Sequence, residues 1–490
     1  MPDIVIKDLK PEILWQRFYE IAQVPRPSKK EEKIRQHMRD LFKKLNVIYN
    51  EDETGNIVAK IPSSAGYESA PIVVLQGHVD MVCEKNKSTN HDFDNDGIKL
   101  KRQNGWIAAE GTTLGSDNGI GVAAALALIT DKDSVHGPLE ILLTVDEETG
   151  LTGANNLKPG FINGKILLNL DSEEDGVFYV GCSGGMDTLA KYKIETESAP
   201  KGLAAYNLLV TGLKGGHSGL DINTGRANAI KILARALKEL EHKDYYIASI
   251  NGGSKRNAIP REAEAALFVK PDDVAGFEAI LKNMQASLSN EFKTSDSGLK
   301  LEFVKSGSDS QNVFAKKLKD KIINTLLALP HGVITMSQDI ADLVETSNNV
   351  ATIFTESDSI VIGTSQRSSV ESAKKYIAQS VAAVLNLSGA EVSSGDGYPG
   401  WKPNLDSGIL KISKKVFKNI FNKEPEIKAI HAGLECGILG DKNPGLDMVS
   451  FGPTIQGAHS PDERVNIETV EKFYSLLKAI LKYIAEENKN

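Results

Sequence analysis

The stretch LEILLTVDEETG, residues 139–150, decides the fold. It opens with a near-continuous apolar run, 139–145, with the length and branching of a parallel strand buried on both faces. It closes in three acids, Asp146, Glu147 and Glu148. Unpaired charge is costly to bury. A core strand that ends this way either runs out into an exposed acidic turn or delivers carboxylates to a site. Ligands of open α/β sheets lie outside the carboxyl ends of the strands. Two neighbouring glutamates there could divide the labour, one holding a metal and one handling a proton.

Outward from this strand the pattern repeats. Residues 72–75 form an apolar run that stops at Gly77-His78-Val79-Asp80. His78 and Asp80, two apart, share one side of an extended chain. Residues 165–170, KILLNL, end in Asp171, with Ser172, Glu173 and Glu174 behind it. Parallel strands would bring His78/Asp80, Glu147/Glu148 and Asp171 to one rim, and the repetition outweighs the exposed-turn alternative. Between these runs, LGSDNGIGVAAALALI (114–129) is a loop feeding a helix. Asp117 stands near that helix's start, where an N-cap role would suffice to explain it. A last buried strand, 446–451, is followed by the loop GAHSPDERV, which contributes His459.

The rest of the chain falls around this frame. Residues 10–45 have helical spacing broken at Pro25-Arg26-Pro27-Ser28, and 56–61 is a short strand closed by Pro62. From 187 to 399 the texture changes. Strand 205–211, helix 226–240, strand 258–269 and a helix carrying Phe277, Leu281 and Leu288 are followed by strand 299–304, helix 314–327, strands 350–355 and 359–363, and helix 370–387. This predicts two βαββαβ-like units, each a small sheet with helices on one face. After 400 the α/β texture returns, with helices 405–421 and 470–484. The expected architecture is α/β: a mostly parallel-sheet domain of residues 1–186 and 400–490, interrupted by an inserted α+β domain, 187–399.

Composition narrows the function. A chain of 490 residues carries a soft prior of about three structural units. Fifty-seven basic residues against 65 acidic give a net charge of −8, which argues against nucleic acid or an anionic membrane as partner. No run has the length of a transmembrane helix. The first fifteen residues lack an apolar signal core, so a cytoplasmic location is expected. Cys83, Cys182 and Cys436 are widely spaced, without a CxxC, and read as reduced thiols.

Collected, the polar strand-end residues are His78, Asp80, Asp117, Glu147, Glu148, Asp171 and His459. Two imidazoles among carboxylates suit zinc or manganese, the imidazoles favouring zinc. Five ligands sharing one carboxylate is the count for a two-metal site. HVD, SDNGIG, DEETG, NLDSEE and GAHSPDE, in this order, resemble the motifs of the carnosinase-like family of co-catalytic zinc metallopeptidases. The double-sized insert and the phrases GLKGGHSG, HAGLECG and GDGYPGWKPN look most like its Xaa-His dipeptidases.

The resemblance implies roles, position by position. His78 and Asp171 hold one zinc, Glu148 and His459 the other, and Asp117 bridges them. Asp80 orients His78, and Glu147 is the general base toward zinc-activated water. Mn2+ or Co2+ are expected substitutes for the two Zn2+ per subunit. In the insert, His217 of GGHSG would stabilise the tetrahedral oxyanion, often across a dimer. Asn257 of RNAIP would contact substrate, and Arg367 of SQRSS would grip the substrate's terminal carboxylate. The implied substrates are dipeptides, Xaa-His and carnosine-like β-alanyl-histidine among them. The insert would act as a lid and dimerisation domain, and a homodimer is compatible with this. Two alternatives stand: another hydrolase on the same scaffold (deacylase, tripeptidase or aminopeptidase), or a non-catalytic peptide-binding protein, which would need ligands but no base at Glu147.

Overall fold

The computed structural model describes residues 3–307 and 312–488. Its chain divides into two compact units rather than three: Met1–Gly181 with Pro403–Ala429 and Leu434–Asn490, and Cys182–Lys402 with Ile430–Gly433.

The first unit is built on an eight-stranded sheet. At its centre four parallel strands lie side by side in the order Leu139–Thr144, Val73–His78, Ile166–Asn169, Asp447–Ser450. Every residue of the first two is buried, as expected for strands covered on both faces. Truncating a side chain such as Leu142 to Ala would cost about 2–5 kcal/mol. The register pairs His78 with Thr144 and Gln76 with Asn169, so the three acid- and histidine-bearing strand ends finish level. The helix Ser116–Leu128 is buried on nearly all sides, as an apolar, small-residue helix must be. It packs between the strand Val73–His78 and the helix Glu12–Ala22, and that contact holds Asp117 at the rim.

The organising strand ends one residue earlier than its apolar run, at Thr144. Asp146 then turns the chain with φ 50°, and its carboxylate accepts hydrogen bonds from the Thr149 and Thr152 hydroxyls. Of the three acids, Asp146 is spent on the turn, which aims the other two.

The second unit departs from the expectation of two small sheets. Its strands join in one antiparallel sheet of nine, ordered Lys300–Lys305, Ala204–Thr211, Ala263–Val269, Tyr245–Gly252, Val344–Thr355, Ser359–Ser368, Gly184–Lys193, Glu391–Ser394, with Gly332–Met336 pairing beside Val344–Thr355. Gly252 opposite Ile353 is the join. The helices Ala229–Glu239, Val274–Glu291, Lys316–Ala328 and Glu371–Leu387 share one apolar core with the sheet, through residues such as Leu233, Phe277, Ile322 and Val381. The expected strand 258–269 is split into Ala258–Ile259 and Ala263–Val269, because Pro260 has no N–H to give a ladder. The expected helix 226–240 starts at Ala229, where the Asn228 side chain accepts from Ile230 N and Lys231 N.

Candidate active site

In the first unit the rim brings together all seven sequence-predicted residues. Asp117 lies between two histidines. Its Oδ1 is 3.0 Å from His78 Nε2 and its Oδ2 is 3.0 Å from His459 Nε2. His78 Nε2 also faces Asp171 Oδ1 at 3.4 Å, and His459 Nε2 faces Glu148 Oε2 at 3.0 Å. Two triads that could hold a cation therefore share Asp117: His78–Asp117–Asp171 and Asp117–Glu148–His459. The chemistry of the donors fits metal. One imidazole nitrogen carries at most one proton, yet each of these faces two carboxylate oxygens. A cation in place of the proton satisfies both. Glu148 Oε1 and Asp171 Oδ1 are buried without a hydrogen-bond partner, which in a protein interior calls for a further cationic partner.

Asp80 does more than accompany His78, whose Nδ1 is 3.3 Å from its Oδ1. It is fully buried, accepts from the Ser28 hydroxyl at 2.7 Å, and accepts the backbone N–H groups of Glu147 and Glu148 at 3.1 and 3.3 Å. One carboxylate thus fixes the imidazole and the turn that carries both glutamates.

The electrostatics follow the crowding. Burial raises the Glu147 carboxyl well above the usual range, and Asp171, Glu435 and Glu148 push it further. Burial likewise lifts Asp171 to about 7. Burial would raise Asp117 too, but hydrogen bonds from His459 and His78 outweigh it and hold that carboxyl low. Hydrogen bonds from Asp117 and Glu148 raise His459 to about 11 in the metal-free protein.

The insert's three candidates lie in the second unit. His217 sits on the short strand Gly216–His217, opposite Ala258, and Ser218 N donates to the Asn257 carbonyl at 2.8 Å. The Asn257 side chain is exposed. Arg367 is buried in the strand Ser359–Ser368 rather than on a loop. Its Nη1 donates to Tyr398 Oη at 3.0 Å and its Nε to Ser218 Oγ at 3.4 Å. His217 Nδ1 accepts the N–H groups of Gly219 and Leu220, both at 3.2 Å. That fixes the proton on Nε2. Burial, aided by Arg367, lowers its pKa to about 4. His217 is therefore a neutral Nε2–H donor at physiological pH. Gly219 must be glycine, since a Cβ there would lie 2.1 Å from the His431 carbonyl oxygen. His431 itself is buried against Ser347, Nε2 to Oγ 2.7 Å, and burial pushes it to about 3.

Residues 74–483 match the family model described as Peptidase family M20/M25/M40. The chain belongs to this family. It is accordingly a metal-dependent hydrolase of peptide bonds. It is 41% identical over 480 residues, covering 98% of this chain and 99% of the relative, to the cytosol non-specific dipeptidase of Escherichia coli. The crystal structure of aminoacylhistidine dipeptidase from Vibrio alginolyticus superimposes with a TM-score of 0.88 at 40% identity, covering 98% of both chains. The aminopeptidase PepT of Bacillus cereus shares the fold at 18% identity, with a TM-score of 0.58 over 97% of this chain and 99% of that one.

Two carboxyls of this family member escaped the sequence reading as site residues. Glu173, two beyond Asp171, is lifted to about 8 by burial and by Asp117 and Asp171. Its place in NLDSEE is the signal that could have marked it. Glu435 is fully buried, accepts from Gln76 Nε2 at 2.5 Å and Thr144 Oγ1 at 2.6 Å, and is raised to about 7 by burial. Its partners are strand residues some 290 and 360 positions away, so nothing local announces it.

Proposed function

We propose that this chain is a cytoplasmic dipeptidase acting through two zinc ions, with Xaa-His dipeptides, β-alanyl-histidine included, among its substrates. The observation that carries the reading is Asp117, whose two oxygens face two different imidazoles, each backed by a second carboxylate. His78 and Asp171 would hold one ion, Glu148 and His459 the other, and Asp117 both. The ions, when bound, would supply Lewis-acid chemistry, favouring polarisation of the scissile carbonyl and ionisation of water near neutral pH. Glu147 takes the proton from the attacking water and returns it to the leaving amine, and its upward-shifted carboxyl suits that traffic. Asp80 keeps His78 and the Glu147 turn in register.

Three residues of the second unit are the further proposed substrate contacts. The His217 Nε2–H donates to the developing oxyanion, and a neutral donor strengthens its bond as negative charge grows. Arg367 takes the terminal carboxylate, and Asn257 contacts the peptide. No helix among the described residues is long and apolar enough to cross a membrane, and the E. coli relative is named for the cytosol; both support the location.

The test is a turnover panel with and without added zinc: Xaa-His and other dipeptides, acyl-amino acids, tripeptides and pentapeptides. Zinc-stimulated cleavage of dipeptides over the rest is expected. Preferred cleavage of acyl-amino acids or of the longer peptides would overturn the substrate class.

A further inference from the structure

The five proposed ligands of the rim are carried on five separate segments, and one of them is exposed. His459 is 54% exposed, on a loop where its own backbone has φ 62°. Yet it must face the same carboxylate as buried His78.

Two buried charges tie the segments together. Glu463, four residues beyond His459 and 1% exposed, reaches into the turn before the helix Ser116–Leu128. Its Oε2 accepts Leu114 N at 2.7 Å and Gly115 N at 2.9 Å. Its Oε1 accepts Ser116 N at 2.7 Å, Ser116 Oγ at 2.6 Å and Asp117 N at 3.3 Å. Arg26, 2% exposed, takes the carbonyls. It donates to Val79 and Asp80 at 3.0 and 2.8 Å, and to Gly115. Gly115 has φ 71°, and a Cβ there would lie 2.4 Å from Arg26 Nη2. The turn leaves no room for a side chain between its backbone and the guanidinium. The Glu463 end is itself braced, with Glu463 N donating to Ser460 O and Ser460 N to Gly457 O.

We propose that Glu463, assisted by Arg26, is a positioning residue: it locks the His459 loop to the Asp117 turn, so that the ion shared by Asp117, Glu148 and His459 is retained. This rests on the reading that Asp117 bridges two ions. An ordinary helix cap would also satisfy the first N–H groups of the helix. It would have no reason to come from the loop that carries an exposed ligand.

The decisive variant is Glu463→Gln, which keeps every ligand but turns an amide NH2 toward two backbone N–H donors that a carboxylate oxygen now accepts. Loss of a partner behind a metal ligand weakens metal affinity about 10–100-fold. The expected result is one tightly held ion instead of two after dialysis against a weak chelator, with far-UV circular dichroism unchanged. Turnover should return toward wild type at excess zinc, with KM moving less than about twofold. Glu463→Asp, retaining the charge at shorter reach, should fall between. Replacing zinc by Co2+ should show the visible spectrum of one site altered in the Gln variant. Should Glu463→Gln fail to fold, Ser116→Ala decides, since it removes a single donor; a weakening of the second ion is expected there too. A folded Glu463→Gln or Ser116→Ala protein that melts lower but holds both ions like wild type would reduce Glu463 to a helix cap. Asp117→Ala is the control: if it retains both ions, the two-ion reading itself fails, whatever Glu463 does.

Discussion

The rim of the first unit and the buried histidines of the second set imidazole in opposite ways. In the first, His78 and His459 are surrounded by carboxylates, and hydrogen bonds to Asp117 and its neighbours raise them despite burial. In the second, His217, His331 and His431 are pushed down by burial, His217 and His431 also by Arg367 and His331 also by Lys231, to about 4, 4 and 3. The same side chain is prepared to exchange its proton for a cation in one place and to stay a neutral donor or acceptor in the other. The difference fits the proposed roles, cation holding at the rim of the first unit and substrate contact by His217 and Arg367 of the second. That is a division of labour between ion and peptide.

The division can be broken from either side. The largest effect is expected at Glu147, the proposed base, which is not among the five proposed ligands. Glu147→Gln should lower kcat by about 10²–10⁴-fold while elemental analysis finds wild-type metal content. Wild-type turnover would remove it as the base. On the substrate side, His217→Ala should cost about 10²–10³-fold in kcat, the usual loss of one oxyanion donor. Metal content should be unchanged and KM affected less, because the bond strengthens in the transition state. If the protein is a dimer, mixing Glu147→Gln with His217→Ala protomers tests whether His217 serves its own chain or the partner's. Recovered activity shows service across subunits, and its absence under demonstrated exchange shows service in cis.

Arg367→Ala sharpens the comparison further. A charge-assisted pair is worth about 1.5–3 kcal/mol, so kcat/KM for a free dipeptide should fall about 10–150-fold. A dipeptide amide, lacking the carboxylate, should be a poor substrate of both proteins and lose little more. Equal losses on both substrates would assign Arg367 to structure.

The smallest effect is on stability. His331 Nδ1 accepts from Asn228 Nδ2 and Val350 N, both at 3.4 Å, which the protonated ring cannot do. Its folded pKa of about 4 lies below the unfolded value of 6.5. Between those values the unfolded chain binds the extra proton, so stability is lost as pH falls from about 6.5 toward 4. Melting temperature followed from pH 7 to 4.5 should drop, and His331→Gln should drop less steeply. An equal slope would show that this histidine is not among the linked groups.

Much of this was legible in the chain, for a physical reason. Fully buried parallel strands are continuous apolar runs, and a strand that ends in His78, Glu147 or Asp171 announces the break in hydrophobicity locally. Asp117 and His459 carried no such signal; each would pass as a cap or a loop residue, and only the ordered motifs singled them out. The sequence suggests two sheets in the second unit because the strand Tyr245–Gly252 has no clear signal, and the join it makes with Val344–Thr355 is a single pair, Gly252 with Ile353. Arg26 and Glu463 were invisible as core residues. A lone charge in a sequence looks like surface, and the groups that satisfy Glu463 lie about 350 positions earlier.

The central claim is that one carboxylate, Asp117, holds two ions at the rim. Metal stoichiometry of purified wild type and Asp117→Ala, reconstituted with zinc and dialysed side by side, tests it most directly. The account predicts two ions per chain in wild type and fewer than one in the variant, with the fold intact by circular dichroism. Two ions retained without Asp117 would contradict it.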